Sequence, residues 1–496
     1  MTEPSNGLLT ALVFLPAAGA VMIALFGSNA RAVRITAAGV MVADLALGMF
    51  AWYFMSSADA SSIGERLGAY DTNAWIPGVN AVYSLALDGL SLPMVVLTGL
   101  LGLVAVLGSW HVTTRVREYH VWLLLLLTGV LGVFAARDLL LFFLFWEVEL
   151  IPMYFLISVW GTGNKDHSAM KFVLYTLFGS AFMLVGVLVL RASAGTFDME
   201  ALTLMGQAGE IGPKFLTLNA VFFFFFLAFA IKLPVWPLHT WLPDAHTDAP
   251  TAVSVLLAGV LLKMGGYGLT RLNLGFFPEA AERWAPILVV LAVVNVLYGA
   301  AVVFRQNDLK RLIAYSSVSH MGLVLLGVAS LGVVGVTGAA VQMFAHGTIT
   351  GLLFLVVGLM YDKAHTRWIP DLGGLAKNMP VIASVTIVAG LASLGLPLLS
   401  GFAAELIIFL GTYGTQPLAT ALAAFGIVLT AGYILWTVER VLFGPDKGRF
   451  SNLGDASIVD GAAMALLIAP IVIIGVYPAL LIDIFQPAVR LIVGGS

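Results

Sequence analysis

Long apolar runs separated by short polar gaps follow one another from one end of the chain to the other. An α-helix rises 1.5 Å per residue, so about 20 apolar residues cross the hydrocarbon of a bilayer. On that measure the pattern predicts about fourteen spans, at roughly 7–27, 36–55, 90–110, 120–136, 139–159, 168–190, 216–239, 250–272, 285–304, 309–330, 334–361, 380–412, 417–442 and 460–483. They are numbered 1 to 14 in chain order. The longest connection, about 56–89, carries Asp59, Glu65, Asp71 and Asp88 against a single cation, Arg66. No soluble domain or low-complexity linker of any size interrupts the series. The expected fold class is an all-α polytopic membrane protein.

Two spans break the pattern. Span 7 contains five consecutive phenylalanines, Phe222 to Phe226, ends its apolar run on Lys232, and is followed by Pro234, Pro237 and Pro243. Each proline lacks an amide N–H and clashes with the preceding turn, so a regular helix is not expected there for about three turns. Span 8 then begins near Thr251 and carries Lys263 close to its centre. Span 12 is too long for one straight crossing and holds Gly395-Leu396-Pro397 and Ser400-Gly401 in its middle, with Glu405 after them. Two broken helices five spans apart run in opposite directions, the mark of an inverted-topology repeat. The repeats are expected at spans 4–8 and 9–13. That divides the chain into residues 1–119 with spans 1–3, a first repeat at 120–272, a second at 285–443, and residues 444–496 with the last span.

Composition agrees with a membrane chain: 60% of residues are hydrophobic and 10% charged, and a soluble protein this apolar would have nothing to cover its surface with. There is no cysteine, which excludes disulfides, iron–sulfur clusters and cysteine zinc sites as sources of chemistry. Net charge is only −3 and no basic patch of the kind nucleic acid needs is present. Span 1 is preceded by Glu3 and by no lysine or arginine, the wrong flank for a signal peptide, so it reads as a retained helix. Loops after odd-numbered spans hold fifteen cations: Arg31, Arg34, Arg115, Arg117, Lys165, Lys171, Arg305, Lys310, Arg311, Lys363, Arg367, Lys377, Arg440, Lys447 and Arg449. Loops after even-numbered spans, with the C-terminal tail, hold seven: Arg66, Arg137, Arg191, Lys214, Arg271, Arg283 and Arg490. By the positive-inside rule the odd loops are cytoplasmic and both termini face the other side.

Six ionisable residues lie at membrane depth: Glu147, Lys232, Lys263, His320, His346 and Glu405. A charge at the bilayer centre costs several kcal/mol unless paired or hydrated, so such residues are functional candidates by default. Their shared chemistry is reversible proton binding. Desolvation favours the neutral form of lysine and glutamate alike, and histidine titrates near neutrality without much help. A Glu–Lys pair feeding a lysine and histidine row has the parts of a proton path. Glu149, two residues on from Glu147, falls on roughly the opposite helix face and reads as structural. Other readings remain open. Glu147 suits a static counter-charge, Lys263 a bond to carbonyls of the span 7 break, and His320 and His346 neutral hydrogen-bonded side chains or haem ligands. Cytochrome b-type proteins, however, carry two histidines per helix about four turns apart, and neither span 10 nor span 11 does. His239, Asp244, His246 and Asp248 resemble a metal cluster in composition, but interleaved prolines make them read as a loop lining the path entrance. Asp88 and Asp138 sit at span ends, where capping is the default.

The segments FWEVELIPMYF, IKLPVWPLHTWLPDAHTDAPTAVSVLLAGVLLKMGGYG, DLKRLIAYSSVSHMG and GLPLLSGFAAE resemble the antiporter-like subunits of NADH:quinone oxidoreductase, respiratory complex I, over about residues 85–445. The glutamate at 405, where sister subunits more often carry lysine, resembles the subunit M (chain 4) type. The resemblance implies that Glu147 pairs with Lys232 as the charge-switching input, that Lys263 and His320 relay protons, that His346 continues the axis, and that Glu405 releases them. It implies no cofactor on this chain, with NADH, FMN, iron–sulfur clusters and quinone on partner subunits. The implied partners are the N-like and L-like subunits, the lateral helix of the latter, and lipid, in a bacterial plasma membrane. Rival expectations are a subunit of a multi-subunit Na+/H+ antiporter or membrane-bound hydrogenase, and a non-pumping scaffold whose buried charges only fix helix packing.

Overall fold

The computed structural model describes residues 7–56, 71–212, 214–445, 450 and 453–494. Glu3, Asp59, Glu65, Arg66, Lys447 and Arg449, used in the sequence argument, lie outside the described residues. Twelve described helices are long and apolar enough to cross a membrane. They occupy the expected positions of spans 1–6, 8–11, 13 and 14. Spans 7 and 12 are each two shorter helices in series: Leu218–Lys232 then Trp241–Asp248, and Pro380–Ser393 then Ser400–Tyr413. Both breaks therefore fall where proline and glycine placed them.

The helical membrane architecture is the expected one, with a small addition: the connection before span 3 folds into an antiparallel hairpin, β1 (Asp71–Ile76) and β2 (Ala81–Leu85), turned at Asn80 with φ 54°. Two expectations need correction. The prolines do not abolish helix as far as Thr251, because Pro243 sits in the first turn of Trp241–Asp248, where amides have no helical acceptor to lose. The segment 239–248 is thus partly helix rather than loop. Finally, span 14 ends at Val476 and Pro478 starts a separate helix, Ala479–Val493. Its Leu481, Phe485, Ala488, Val489 and Ile492 recur at helical spacing and are buried, so it lies against the bundle on one apolar face.

Spans 8 (Thr251–Leu274) and 11 (Val333–Ala364) are 100% buried in their apolar windows and span 10 (Leu309–Ala329) is 94%, against 33% for spans 13 and 14. The centre of the molecule is therefore made of spans 8, 10 and 11, and the expected ionisable residues of those spans lie where water and lipid are both excluded. Span 8 is not a plain α-helix. Leu257–Leu261 and Leu269–Leu274 are π turns, a local widening that frees backbone carbonyls and commonly accompanies functional sites.

Span 8 meets the span 7 break through Gly265. A Cβ added there would stand 2.6 Å from the Leu233 amide nitrogen and 2.8 Å from the Phe229 carbonyl oxygen, backbone atoms that cannot swing aside. Gly265→Ala is expected to overpack this contact at a cost of about 1–3 kcal/mol. Thermal denaturation of the assembled, detergent-solubilised complex checks this: the variant should melt below the wild type.

Candidate functional site

Lys232 is the last residue of the first half of span 7, and its side chain is wholly buried. Its ammonium donates to Oε1 of Glu149, also wholly buried, and lies 5.5 Å from the Trp146 ring and 5.3 Å from the Phe172 ring. The expected Glu147–Lys232 pair is therefore corrected: the direct partner is Glu149. The reason is local. Pro152 offers no N–H to the carbonyl of Val148, and the helix is interrupted at Glu149, between Leu139–Val148 and Leu150–Trp160. The regular-helix argument that set Glu149 on the far face does not hold across that interruption. Gly129 of span 4 makes the approach possible, since a Cβ there would lie 3.2 Å from the Glu149 Cβ. Glu147 is half-buried, interacts with Ser180, and remains within electrostatic range of Lys232 and Glu149. Its Oε1 and the Oε2 of Glu149 have no hydrogen-bond partner.

Lys263 is the second wholly buried lysine. Its ammonium donates to the carbonyl of Ala258, in the first π turn, and lies 2.7 Å from Nδ1 of His346 on span 11. Carbonyl bonding, one of the open readings, and a relay contact are thus both present. The Thr350 hydroxyl is 3.4 Å from the same His346 nitrogen. The His346 and His320 rings are 5.5 Å apart. His320 has Nδ1 2.8 Å from the Ser316 carbonyl and Nε2 3.0 Å from the Ser393 carbonyl, at the span 12 break. Nε2 is also 3.9 Å from Oε1 of Glu405. Both nitrogens face acceptors, an arrangement fully satisfied only when the ring carries two protons.

Glu405 is buried in the second half of span 12. Gly395 has φ 76°, and a Cβ there would stand 2.4 Å from Oε2 of Glu405. The break is shaped around that carboxylate. Four of the six sequence candidates, Lys263, His346, His320 and Glu405, thus follow one another across spans 8, 11, 10 and 12. Lys232 and Glu147 form a second group with Glu149 beside span 7.

Two further buried groups lie near Lys263, His246 from the segment expected to line the path entrance and Lys310, which was counted only as a loop cation. His246 is wholly buried, stacks on Phe354 at 4.5 Å, and interacts electrostatically with both Lys263 and Lys310. Lys310, counted as a loop cation, is buried with its ammonium 2.6 Å from the Ala249 carbonyl. The proximity of Lys310 to a span end hid its burial. Towards the odd-loop surface, Asp248 accepts from Ser168 at 2.7 Å and Asp244 from Lys171 at 2.7 Å. Among the described residues no group of three His, Asp or Glu side chains has the arrangement of a metal site.

Residues 136–430 match the family model described as NADH:quinone oxidoreductase/Mrp antiporter, TM. The chain belongs to this family. It is 42% identical over 494 residues to NAD(P)H-quinone oxidoreductase chain 4 1 of Synechococcus elongatus, covering 98% of this chain and 91% of the relative. To NAD(P)H-quinone oxidoreductase chain 4 of Gloeobacter violaceus it is 41% identical over 491 residues, with 97% and 91% covered. Among solved structures it is similar to a chain of respiratory complex I from Thermus thermophilus with bound NADH, at TM-score 0.86 and 30% identity, covering 98% and 99% of the two chains. It is equally similar in shape, TM-score 0.86, to a chain of the archaeal membrane-bound sulfane sulfur reductase, at 25% identity and 98% coverage of both.

The Gly395 geometry yields a test. Gly395→Ala forces a side chain into a left-handed backbone position, a strain of about 1–2 kcal/mol, and displaces the Glu405 carboxylate. Proton uptake by vesicles carrying the assembled complex is expected to fall severalfold per NADH oxidised, with the complex still recovered whole on native gels.

Proposed function

We propose that the chain is a proton-translocating membrane subunit of the chain 4 (subunit M) type in an NADH:quinone oxidoreductase, driven by electron transfer in other subunits. The observation that carries this reading is the run of buried ionisable groups through the most enclosed spans, with Lys263 Nζ 2.7 Å from His346 Nδ1 and His320 Nε2 3.9 Å from Glu405 Oε1. The catalytic groups are Glu147, Lys232, Lys263, His320, His346 and Glu405, to which the geometry adds Glu149.

In this reading a proton enters from the odd-loop side past Asp248, Lys310 and His246 and settles on Lys263. Lys263 passes it to Nδ1 of His346, the one contact in the row already at hydrogen-bond distance. The His346–His320 and His320–Glu405 gaps exceed that distance, so a water or a small side-chain movement completes each step. Glu405 then holds the proton for release. Lys232 sets the direction of flow electrostatically. While Glu149 neutralises it, Lys263 tolerates its own charge; once Lys232 is released, an unbalanced charge in the same protein interior disfavours a second one on Lys263. That penalty drives the Lys263 proton on to His346. Glu147, with one carboxylate oxygen unpaired and within range, is the carboxylate positioned to draw Lys232 away from Glu149.

The redox groups belong to partner subunits in this reading; the sequence has no cysteine with which to hold an iron–sulfur cluster. The neighbours are the N-like and L-like membrane subunits with the lateral helix of the latter, the odd loops face the cytoplasm, and residues 120–272 and 285–443 act as two inverted repeats. The two carboxylates have separable effects. Glu149→Gln removes the direct partner and leaves a buried unpaired ammonium, a loss of about 3–5 kcal/mol, so assembly should weaken along with pumping. Glu147→Gln removes only the competing partner and should leave assembly intact while proton uptake per NADH falls about tenfold. Inverted membrane vesicles assayed for NADH oxidation and proton uptake check both. Wild-type pumping by both variants would remove the pair from the mechanism.

A further inference from the structure

Among the described residues, one cluster of buried charges takes no part in that path. Asp88 precedes span 3, Arg137 lies between spans 4 and 5, and Arg271 sits in the second π turn of span 8. The Asp88 Oδ2 accepts from Arg271 at 2.5 Å and from Arg137 at 3.2 Å, while its Oδ1 accepts the amides of Leu90 and Ser91 at 3.0 Å each. The capping role expected for Asp88 is present, but it uses only half of the carboxylate. Arg271 also lies over the Tyr267 ring at 5.4 Å, and Tyr267 packs edge-on against Phe134 at 5.2 Å.

The placement of the cluster gives it meaning. Lys263 and Tyr267 are four residues apart on one face of span 8, and Arg271 follows four residues later. Eight residues at helical rise put the cluster about 12 Å below Lys263, at the even-loop end of the first repeat. There the chain closes over it. Arg137 N–H donates to the Ser84 carbonyl of β2 at 2.9 Å, and its own carbonyl accepts from Met199 at 3.0 Å. The helix Ala479–Val493 lies across Gly89, so close that a Cβ at Gly89 would be 2.1 Å from the Ile484 carbonyl oxygen. Gln207 ties the end of that helix down through the Leu491 carbonyl at 2.8 Å.

The two ends of the first repeat therefore differ in kind. The odd-loop end offers Asp248, Lys310 and His246, groups that gain and lose protons. The even-loop end offers two guanidiniums, which do not deprotonate in proteins, and its other buried carboxylate, Asp138, is occupied by the amides of Val82, Leu140 and Leu141. Burial pushes the Asp88 carboxyl up, but Arg271 and Arg137 outweigh it and hold the group well below the usual carboxylate range. It stays ionised from neutral pH far into acid, and the cluster keeps one net positive charge. Fixed arginine charge in a narrow, water-poor passage excludes protons and cations in other membrane channels.

We propose that Asp88, Arg137 and Arg271 form a fixed-charge barrier closing the even-loop end of the first repeat, so that a proton on Lys263 leaves only towards His346. This rests on the reading of Lys263 as a proton carrier. Without such a barrier the repeat would conduct straight through and dissipate the gradient that the second repeat builds.

The test is passive proton entry into liposomes holding the assembled complex, with no NADH, under a potassium–valinomycin potential, read by an enclosed pH dye. Arg271→Met is expected to raise proton entry about tenfold, and Arg271→Met combined with Lys263→Met to return it to the wild-type rate. Wild-type tightness of the assembled Arg271→Met complex overturns the barrier. So does a leak that persists when Lys263 is also replaced, because damage to packing would not depend on that lysine. If Arg271→Met fails to assemble, the more peripheral Arg137→Gln takes its place with the same two readings. Undiminished NADH-driven pumping by Lys263→Met alone would sink the proton-carrier reading instead, so the two failures are distinguishable.

Discussion

A buried lysine has no inexpensive place to be. Lys232 and Lys263 are both wholly enclosed, and each is held by a different solution. Lys232 is neutralised by Glu149 and flanked by two aromatic rings, so its charge is balanced only while that contact lasts. Lys263 has a π-turn carbonyl and a histidine nitrogen but no carboxylate, so it is comfortable either neutral or briefly charged. In the proposed path one lysine keeps its proton and the other gives it away. The interruption at Glu149, the break after Lys232 and the π turns of span 8 supply the different surroundings of the two lysines.

Helix irregularity supplies the polar groups that a membrane otherwise withholds. A regular helix in hydrocarbon uses up every backbone amide and carbonyl, and irregular backbone is tolerated only inside the protein. Here the freed groups meet the ionisable side chains: the Ala258 carbonyl receives Lys263, the Ser393 carbonyl at the span 12 break receives His320, and the turn at Gly395 makes room for Glu405. Spans 8, 10 and 11, the most enclosed of the bundle, surround these contacts with protein.

Much of this was legible in the sequence because its signals are strong ones. Apolar runs of membrane length marked the spans, and prolines beside a lysine and a glutamate marked the breaks. What was illegible depended on geometry finer than a helical wheel. Glu149 was assigned to the wrong face because periodicity assumes an unbroken helix, and Pro152 breaks it. Pro243 was read as a stop, although a proline in a first turn starts a helix as readily. Lys310 was read as a loop cation because depth near a span end is set by how neighbouring spans tilt. The β1–β2 hairpin and the Ala479–Val493 helix were missed because both are too short or too amphipathic to stand out beside membrane-length runs.

The central claim is that Lys232 acts through its charge in proton transfer and is more than a packing element. The most direct measurement compares Lys232→Met with Lys232→Met combined with Glu149→Gln, in vesicles assayed for assembly, NADH oxidation and proton uptake. Removing both charges avoids the cost of a lone buried ion, so the double variant should recover any assembly the single one loses. The account predicts that it still fails to pump, with proton uptake per NADH reduced at least about tenfold while the complex is whole. A double variant that assembles and pumps like the wild type would contradict the account and leave the buried pair as scaffold.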